Sequence, residues 1–178
     1  NDSGTTRPSR PASDSVANAG TASLALDLLD KGTKTRTVFQ MADALASLGA
    51  NLFTGTSQDM SFVRLQATTG AMVPSLELMA DAVLNPSFPA DQFALQKQRR
   101  MAQIAQERAQ PNALAQRILP AILYGASHVY GKPASGFENT VEKITRDDLA
   151  RWRETCVTTL LVAGPGPLLH QIAELVND

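Results

Sequence analysis

The stretch GTASLALDLLDKGT, residues 20–33, constrains the fold of this chain more than any other. Its centre predicts a helix over residues 20–30 that is apolar on every side and carries one carboxylate, Asp27, in the middle. A helix without a polar face is stable only when other elements bury it on most sides. We therefore expect this helix to lie in the core of the domain, with Asp27 at its solvent edge; the alternative is that Asp27 is buried and paired.

The rest of the chain predicts an α+β fold. Apolar residues at helical spacing predict further helices at about 37–48, 71–84, 90–109, 112–124, 145–156 and 167–176. Alternation predicts two strands joined by the polar turn TSQD, with Val63 and Leu65 on one face and Phe62 and Arg64 on the other. TTLLVAG, 158–164, predicts a third strand. Because helices follow one another in pairs and two strands can form a hairpin, the order favours α+β over an alternating βαβ fold.

Length and composition predict a single domain of ordinary character. Residues 1–11 are polar and lack periodicity, so they predict a disordered tail, and residues 12–178 are long enough for one domain with a real core. The formal net charge of −1 offers no bulk attraction to nucleic acid or to an anionic membrane. No apolar run reaches the roughly 18 residues that a transmembrane helix needs.

Few side chains offer chemistry. His128 and His170 have no metal-ligand partner at helical spacing, which favours structural or surface roles for both. Cys156 is predicted to be a packed thiol, and a nucleophilic role would require a neighbouring histidine, for which Cys156–His128 is the pair to check. The basic cluster KQRR, 97–100, predicts a solvated helix face. These residues form no catalytic constellation by themselves.

The order of the segments carries more information than any single residue. KGT follows the apolar helix, and LGA, a strand pair, NPSF, a long helix, YGASHVYGKPASG and ITRDDLARW follow in turn. This order resembles the N-terminal-type domain of pitrilysin/insulinase-type zinc peptidases, the family of the mitochondrial processing peptidases and of the core subunits of the cytochrome bc1 complex. The resemblance implies an antiparallel-rich sheet covered by helices, as in the LuxS and processing-peptidase metallopeptidase fold.

The resemblance also implies where zinc chemistry would be placed. Active members carry His-x-x-Glu-His on the helix before KGT, in which the histidines hold zinc and the glutamate activates water. Those roles fall here on Ser23, Leu26 and Asp27, and the third ligand, a glutamate on the long helix, falls on Ala102 or Gln103. Since none of these matches the motif, we expect neither catalytic residues nor metal ligands in this chain.

These expectations define a degenerate peptidase domain. The resemblance implies a non-catalytic domain or subunit that shapes a peptide-binding chamber, pairs with an active homologous half that holds the zinc, and is inactive by itself. Its bacterial relatives imply a periplasmic or secreted location, with the cytoplasm left open. One alternative is a purely structural, core-type subunit of a larger complex. Another is a hydrolase of unrelated mechanism built on Cys156 and His128.

Overall fold

The computed structural model describes residues 18–156. Its helices are α1 (Thr21–Leu26), α2 (Val38–Ser47), α3 (Met72–Leu84), α4 (Ala90–Ala109), α5 (Pro111–Tyr124), α6 (Glu138–Val141) and α7 (Arg146–Cys156), and its strands are β1 (Asn51–Thr56) and β2 (Ser61–Gln66). Single 3-10 turns occupy Thr69–Ala71 and Val129–Gly131. The predicted α+β class is confirmed. The predicted tail at 1–11, strand at 158–164 and helix at 167–176 lie outside the described residues, so the domain bounds of 12–178 stay a prediction.

Helix α1 lies in the core, as its apolar sequence predicts. The main cluster of buried residues contains Leu24, Ala25, Leu26, Leu28, Leu29, Val83, Phe88, Ile104, Val141, Ile144 and Leu149. Helix α1 therefore shares this cluster with residues from α3, α4, α6 and α7, and among these helices it packs most extensively against α7. Burial of a leucine contributes roughly 1.5–3 kcal/mol, so this helix supplies a large share of the core energy.

The predicted length of α1 is wrong at its C-terminal end. The α-helix stops at Leu26, and residues 27–30 form tighter turns instead. There the amides of Leu28 and Leu29 donate to the carbonyls three residues earlier, at 3.1 and 3.3 Å. Such tightening is common in the last turn of a helix, and both leucines remain buried in the core. The sequence pattern predicted burial correctly because burial does not depend on which of the two turn types the backbone adopts.

Strands β1 and β2 form the antiparallel hairpin that the alternation predicts. Thr54 pairs with Val63 in its register, and the Ser57 amide closes the turn on the Met60 carbonyl at 2.8 Å. In β2 the predicted faces are confirmed: Ser61, Val63 and Leu65 are half-buried, while Phe62, Arg64 and Gln66 are exposed. Helix α1 packs against this hairpin, which places one side of the hairpin toward the core.

The KGT segment after α1 is anchored on α3 through one carboxylate. Asp81 Oδ2 accepts hydrogen bonds from Thr33 Oγ1 at 2.7 Å, Thr35 Oγ1 at 2.9 Å and Arg36 Nη1 at 2.6 Å. Asn85 Nδ2 donates to the other oxygen at 3.3 Å. Burial alone would raise the pKa of Asp81, but these hydrogen bonds together hold it below its ordinary value. The charged carboxylate therefore fixes the path of the chain as it leaves α1.

The start of α1 is fixed by a close crossing of two backbones. Gly20, with φ of 101°, lies against Gly136, with φ of 79°, so that a Cβ on Gly136 would stand 2.4 Å from the carbonyl oxygen of Ala19. Only glycine adopts such φ values freely and leaves room for this approach. Thr140 Oγ1 donates to the same Ala19 carbonyl at 2.8 Å. The Gly/Pro-rich loop at 124–136 therefore ends on the first turn of α1.

Candidate functional site

Of the three positions of the expected zinc motif, Ser23 and Leu26 lie on α1 and Asp27 is the residue that caps its C-terminal end. Their side chains face two different directions. Ser23 and Asp27 are one turn apart, since the Asp27 amide donates to the Ser23 carbonyl at 3.1 Å, and both side chains face α4. Leu26 instead is 2% exposed and belongs to the main core cluster. Two polar positions are therefore presented together, and the third is packed among apolar side chains.

A guanidinium occupies the space between the two polar positions. Arg100 of α4 donates through Nη2 to Ser23 Oγ at 2.9 Å and to Asp27 Oδ2 at 2.5 Å. The Arg100 side chain is only 13% exposed and that of Asp27 is 40% exposed. Asp27 thus lies at the solvent edge, as predicted, and it is also ion-paired. The arrangement is a hydrogen-bonded cation clamp between α1 and α4, and it leaves no free carboxylate on the Ser23–Asp27 face of α1.

The prediction that the cluster at 97–100 is a solvated face is wrong for two of its members. Lys97 Nζ donates to the carbonyls of Glu142 and Ile144 at 2.6 and 2.9 Å, and Arg100 makes the contacts just described. Only the middle of the cluster is exposed, including Arg99. Sequence reasoning missed Arg100, and the available signal was its spacing of three residues from Lys97, which places both side chains on the same side of a helix that must cover α1.

Ala102 and Gln103, the expected positions of the third ligand, are both exposed on α4. Gln103 Nε2 donates to Glu107 Oε1 at 2.9 Å, one turn further along the helix. Glu107 is itself engaged by Arg117 of α5, whose Nη1 lies 2.7 Å from Glu107 Oε2 and whose side chain is 10% exposed. The nearest acid on α4 is therefore committed to α5. Within residues 18–156, no three His, Cys, Asp or Glu side chains come together in a metal-binding group.

His128 has a structural setting. Its Nδ1 accepts a hydrogen bond from the Tyr130 amide at 3.2 Å, and its ring stacks on Tyr124 with centroids 5.8 Å apart. The side chain of Cys156 and all of His170 lie outside the described residues, so the pairing of Cys156 with His128 stays a hypothesis.

A cleft of about 530 Å³ opens between α4, α5 and α6. Ile104, one turn from Arg100, forms part of its floor together with Ile118, Ala121 and Phe137. Its rim is charged, and there Arg108 Nη1 lies 2.6 Å from Glu138 Oε2. An apolar floor with a few polar groups at the rim is typical of sites that bind small ligands or peptide side chains.

Solved structures with the same fold come from several bacteria. The peptidase M16 inactive domain of Pseudomonas fluorescens superposes with a TM-score of 0.71 at 27% identity, over 79% of this chain and 35% of that one. A protease from Helicobacter pylori superposes with a TM-score of 0.69 at 18% identity, over 81% of this chain and 35% of that one, which supports the fold alone.

Curated relatives matched by sequence over most of this chain are zinc proteases. An uncharacterized zinc protease of Mycobacterium leprae is 28% identical over 163 residues, which are 90% of this chain and 36% of that protein. A zinc protease of Mycobacterium tuberculosis is 29% identical over 164 residues, which are 90% of this chain and 37% of that protein. The chain thus spans a little over a third of the length of these relatives.

The fold and the order of its segments define a peptidase-type α+β domain. The chain belongs to the insulinase family (peptidase family M16), whose sequence model matches residues 11–133. The resemblance seen in the order of the segments is confirmed. In the part of the chain that the structure describes, no helix is long and apolar enough to cross a membrane.

Proposed function

We propose that this domain is the non-catalytic part of an insulinase-type peptidase, which pairs with an active homologous half and helps to form its peptide-binding chamber. The observation that carries the proposal is the cation clamp. Ser23 and Asp27, on which the family motif places the zinc ligands, both bind Arg100. A neutral hydroxyl and a carboxylate that is ion-paired with Arg100 therefore occupy the positions at which a zinc site needs strong donors that are free to bind the metal.

The donor set does not fit zinc. Catalytic zinc sites use three protein ligands drawn from histidine, carboxylate and thiolate, whereas this site offers one hydroxyl and one carboxylate. The Arg100 charge would also repel a divalent ion by about 8 kcal/mol at 4 Å with an effective dielectric constant of 20. Leu26, at the position of the water-activating glutamate, has no group that accepts a proton. Zinc chemistry is therefore proposed for the partner and not for this domain.

Two further observations support the proposal, one for the lack of catalysis and one for the role in peptide binding. The Pseudomonas relative of known structure is described as an inactive domain, so the same fold exists there without activity. The cleft beside α4 provides an apolar floor large enough for a peptide side chain, one helical turn from the clamp. A periplasmic or secreted location remains part of the proposal, and fractionation of the native cells tests it.

A purely structural subunit is the second candidate, and one surface favours it. Helix α5 leaves Ile118, Leu119, Ile122 and Leu123 exposed, with Ile122 at 74%. These residues form a neutral apolar stripe, and such stripes are typical of permanent interfaces. Both candidates predict an assembly, and they differ in whether this domain contacts the peptide.

The first experiment measures the zinc content of the purified protein and its peptidase activity, alone and with an active M16 homologue from the same genome. The proposal predicts no bound zinc, no cleavage alone and cleavage that depends on both chains. Stoichiometric zinc, or cleavage by this chain alone, would overturn it.

A pair of variants separates the two candidates. Ala121→Trp fills the cleft, while Ala94→Trp places the same side chain on an exposed part of α4 away from the cleft and from the apolar stripe of α5. A peptide-binding role predicts a raised KM in the reconstituted pair for Ala121→Trp alone. A structural role predicts the same KM for both variants.

A further inference from the structure

We infer that Arg100 is a metal surrogate: its guanidinium joins α1 to α4 in place of a bound ion, and by occupying that position it excludes a metal. The inference deepens the proposed function and rests on it, because it assumes that the polar face of α1 is the degenerate zinc site. It assigns a specific task to a residue that no motif singles out.

The contacts have the form of a coordination centre. One nitrogen, Arg100 Nη2, lies 2.9 Å from Ser23 Oγ and 2.5 Å from Asp27 Oδ2, so a single cationic group binds two side chains a turn apart on α1. The pair spans 73 positions of sequence. Like a bound ion, it ties together two helices that the chain itself does not hold together.

The surroundings distinguish this pair from an ordinary surface salt bridge. The Arg100 side chain is mostly buried, whereas Arg108 of the same helix, in its pair with Glu138, is 62% exposed. Exposed pairs contribute little because water competes for both charges. Arg100 also lies in a row of anchors on α4, between Lys97, which binds two carbonyls, and Ile104, which is buried in the core with α1.

Removal of the guanidinium tests the joining role. Arg100→Met keeps an unbranched aliphatic stem and loses the charge, and Arg99→Met makes the same change at an exposed neighbour on the same helix. We expect Arg100→Met to lower the midpoint of thermal unfolding by about 3–6 °C and Arg99→Met by less than about 1 °C. Chelator in the buffer should change neither midpoint.

A double-mutant cycle with Asp27→Asn shows whether the effect belongs to the pair. If Arg100 joins the helices through Asp27, the two substitutions together should change the unfolding equilibrium at least fivefold less than the product of their separate effects. Additive effects, or equal losses in Arg100→Met and Arg99→Met, would overturn the joining role.

Metal exclusion has its own readout. Ser23→His and Asp27→His together place two histidines one turn apart, an arrangement that binds divalent ions. We expect zinc, titrated alone, to bind this double variant at least tenfold more tightly when Arg100→Met is added, and to show no gain when Arg99→Met is added. Equal zinc affinity with and without the guanidinium would refute exclusion.

The outcomes separate this inference from the proposed function. If Arg100→Met and Arg99→Met had equal effects on stability and on zinc affinity, the surrogate role would be refuted. The proposed function would stand in that case, provided that cleavage still depended on both chains. Zinc or activity in the unaltered protein alone would instead remove the proposed function.

Discussion

Asp81 should be one of the most sensitive polar positions in the domain, and Asp81→Asn tests why. The substitution keeps the shape of the side chain and removes its charge. Three donors meet one oxygen, Oδ2, at 2.6 to 2.9 Å, and Asn85 Nδ2 meets the other. An asparagine at this position keeps the most hydrogen bonds when its side-chain carbonyl faces the three donors. Its NH2 group then faces the NH2 group of Asn85, unless the Asn85 side chain flips. The variant thus keeps three hydrogen bonds but loses their charge assistance.

The magnitude follows from those contacts. Hydrogen bonds to a charged group contribute about 1.5–3 kcal/mol and neutral ones about 1 kcal/mol. The Arg36 side chain is 37% exposed and recovers part of its loss from water, whereas the Asp81 side chain is 12% exposed and does not. We expect Asp81→Asn to lower the free energy of unfolding by about 2–3 kcal/mol at pH 7. Asp43→Asn, at an exposed site on α2, should change it by less than about 0.5 kcal/mol.

The effect should depend on pH in one direction. The folded-state pKa of Asp81 lies below the ordinary value of 3.8, so the carboxylate stabilises the fold above that value and the contribution is lost as pH falls through the folded pKa. The asparagine does not titrate. The difference between the two proteins should therefore be constant near neutrality and shrink below about pH 4.

Urea unfolding followed by circular dichroism at pH 7 and at pH 3 measures both claims. A difference at pH 7 no larger than that of Asp43→Asn would show that the KGT anchor contributes little. A difference that grows in acid would show that the sign of the pKa shift is wrong.

Three further predictions concern packing, backbone and chemistry. Leu24→Ala should lower the free energy of unfolding by about 2–5 kcal/mol in urea titrations, against less than about 1 kcal/mol for the partly exposed Leu95→Ala, and similar losses would contradict the central place of α1. Gly136→Ala should lower the midpoint of thermal unfolding more than Gly49→Ala does. A Cβ at Gly49 meets no atom within 4 Å, so that variant should lose only about 1–2 kcal/mol of stability through its left-handed backbone. Equal midpoints for the two variants would argue against the close crossing. His128→Ala should leave the peptidase activity of the reconstituted pair unchanged, and its loss would revive a hydrolytic role for that residue.

Much of the fold could be predicted because its signals are local. The alternation in β2 and the helical spacing in α2 and α3 are written within a few residues, and the structure confirms them. The apolar surround of α1 predicts its burial for the same reason. Where α1 ends could not be predicted, since both turn types bury Leu28 and Leu29 equally well.

The contents of the site were harder to predict than its place. Resemblance located the face formed by Ser23 and Asp27, but the residue that fills it comes from 73 positions away from Asp27. A basic residue on a helix is most often solvated, and only the packing of α4 across α1 makes Arg100 different from Arg99. Such a contact depends on the tertiary arrangement of two helices, which no local pattern encodes.

The burial of α1 also has a consequence for synthesis of the chain. Its leucines share a core cluster with Val141, Ile144 and Leu149, so that core is not complete until the ribosome has added about 130 further residues, the distance from Leu26 to Cys156. At about 5–20 residues per second, that interval lasts roughly 7–26 s. Throughout it the nascent chain displays an apolar helix without its C-terminal partners, the kind of segment to which chaperones bind.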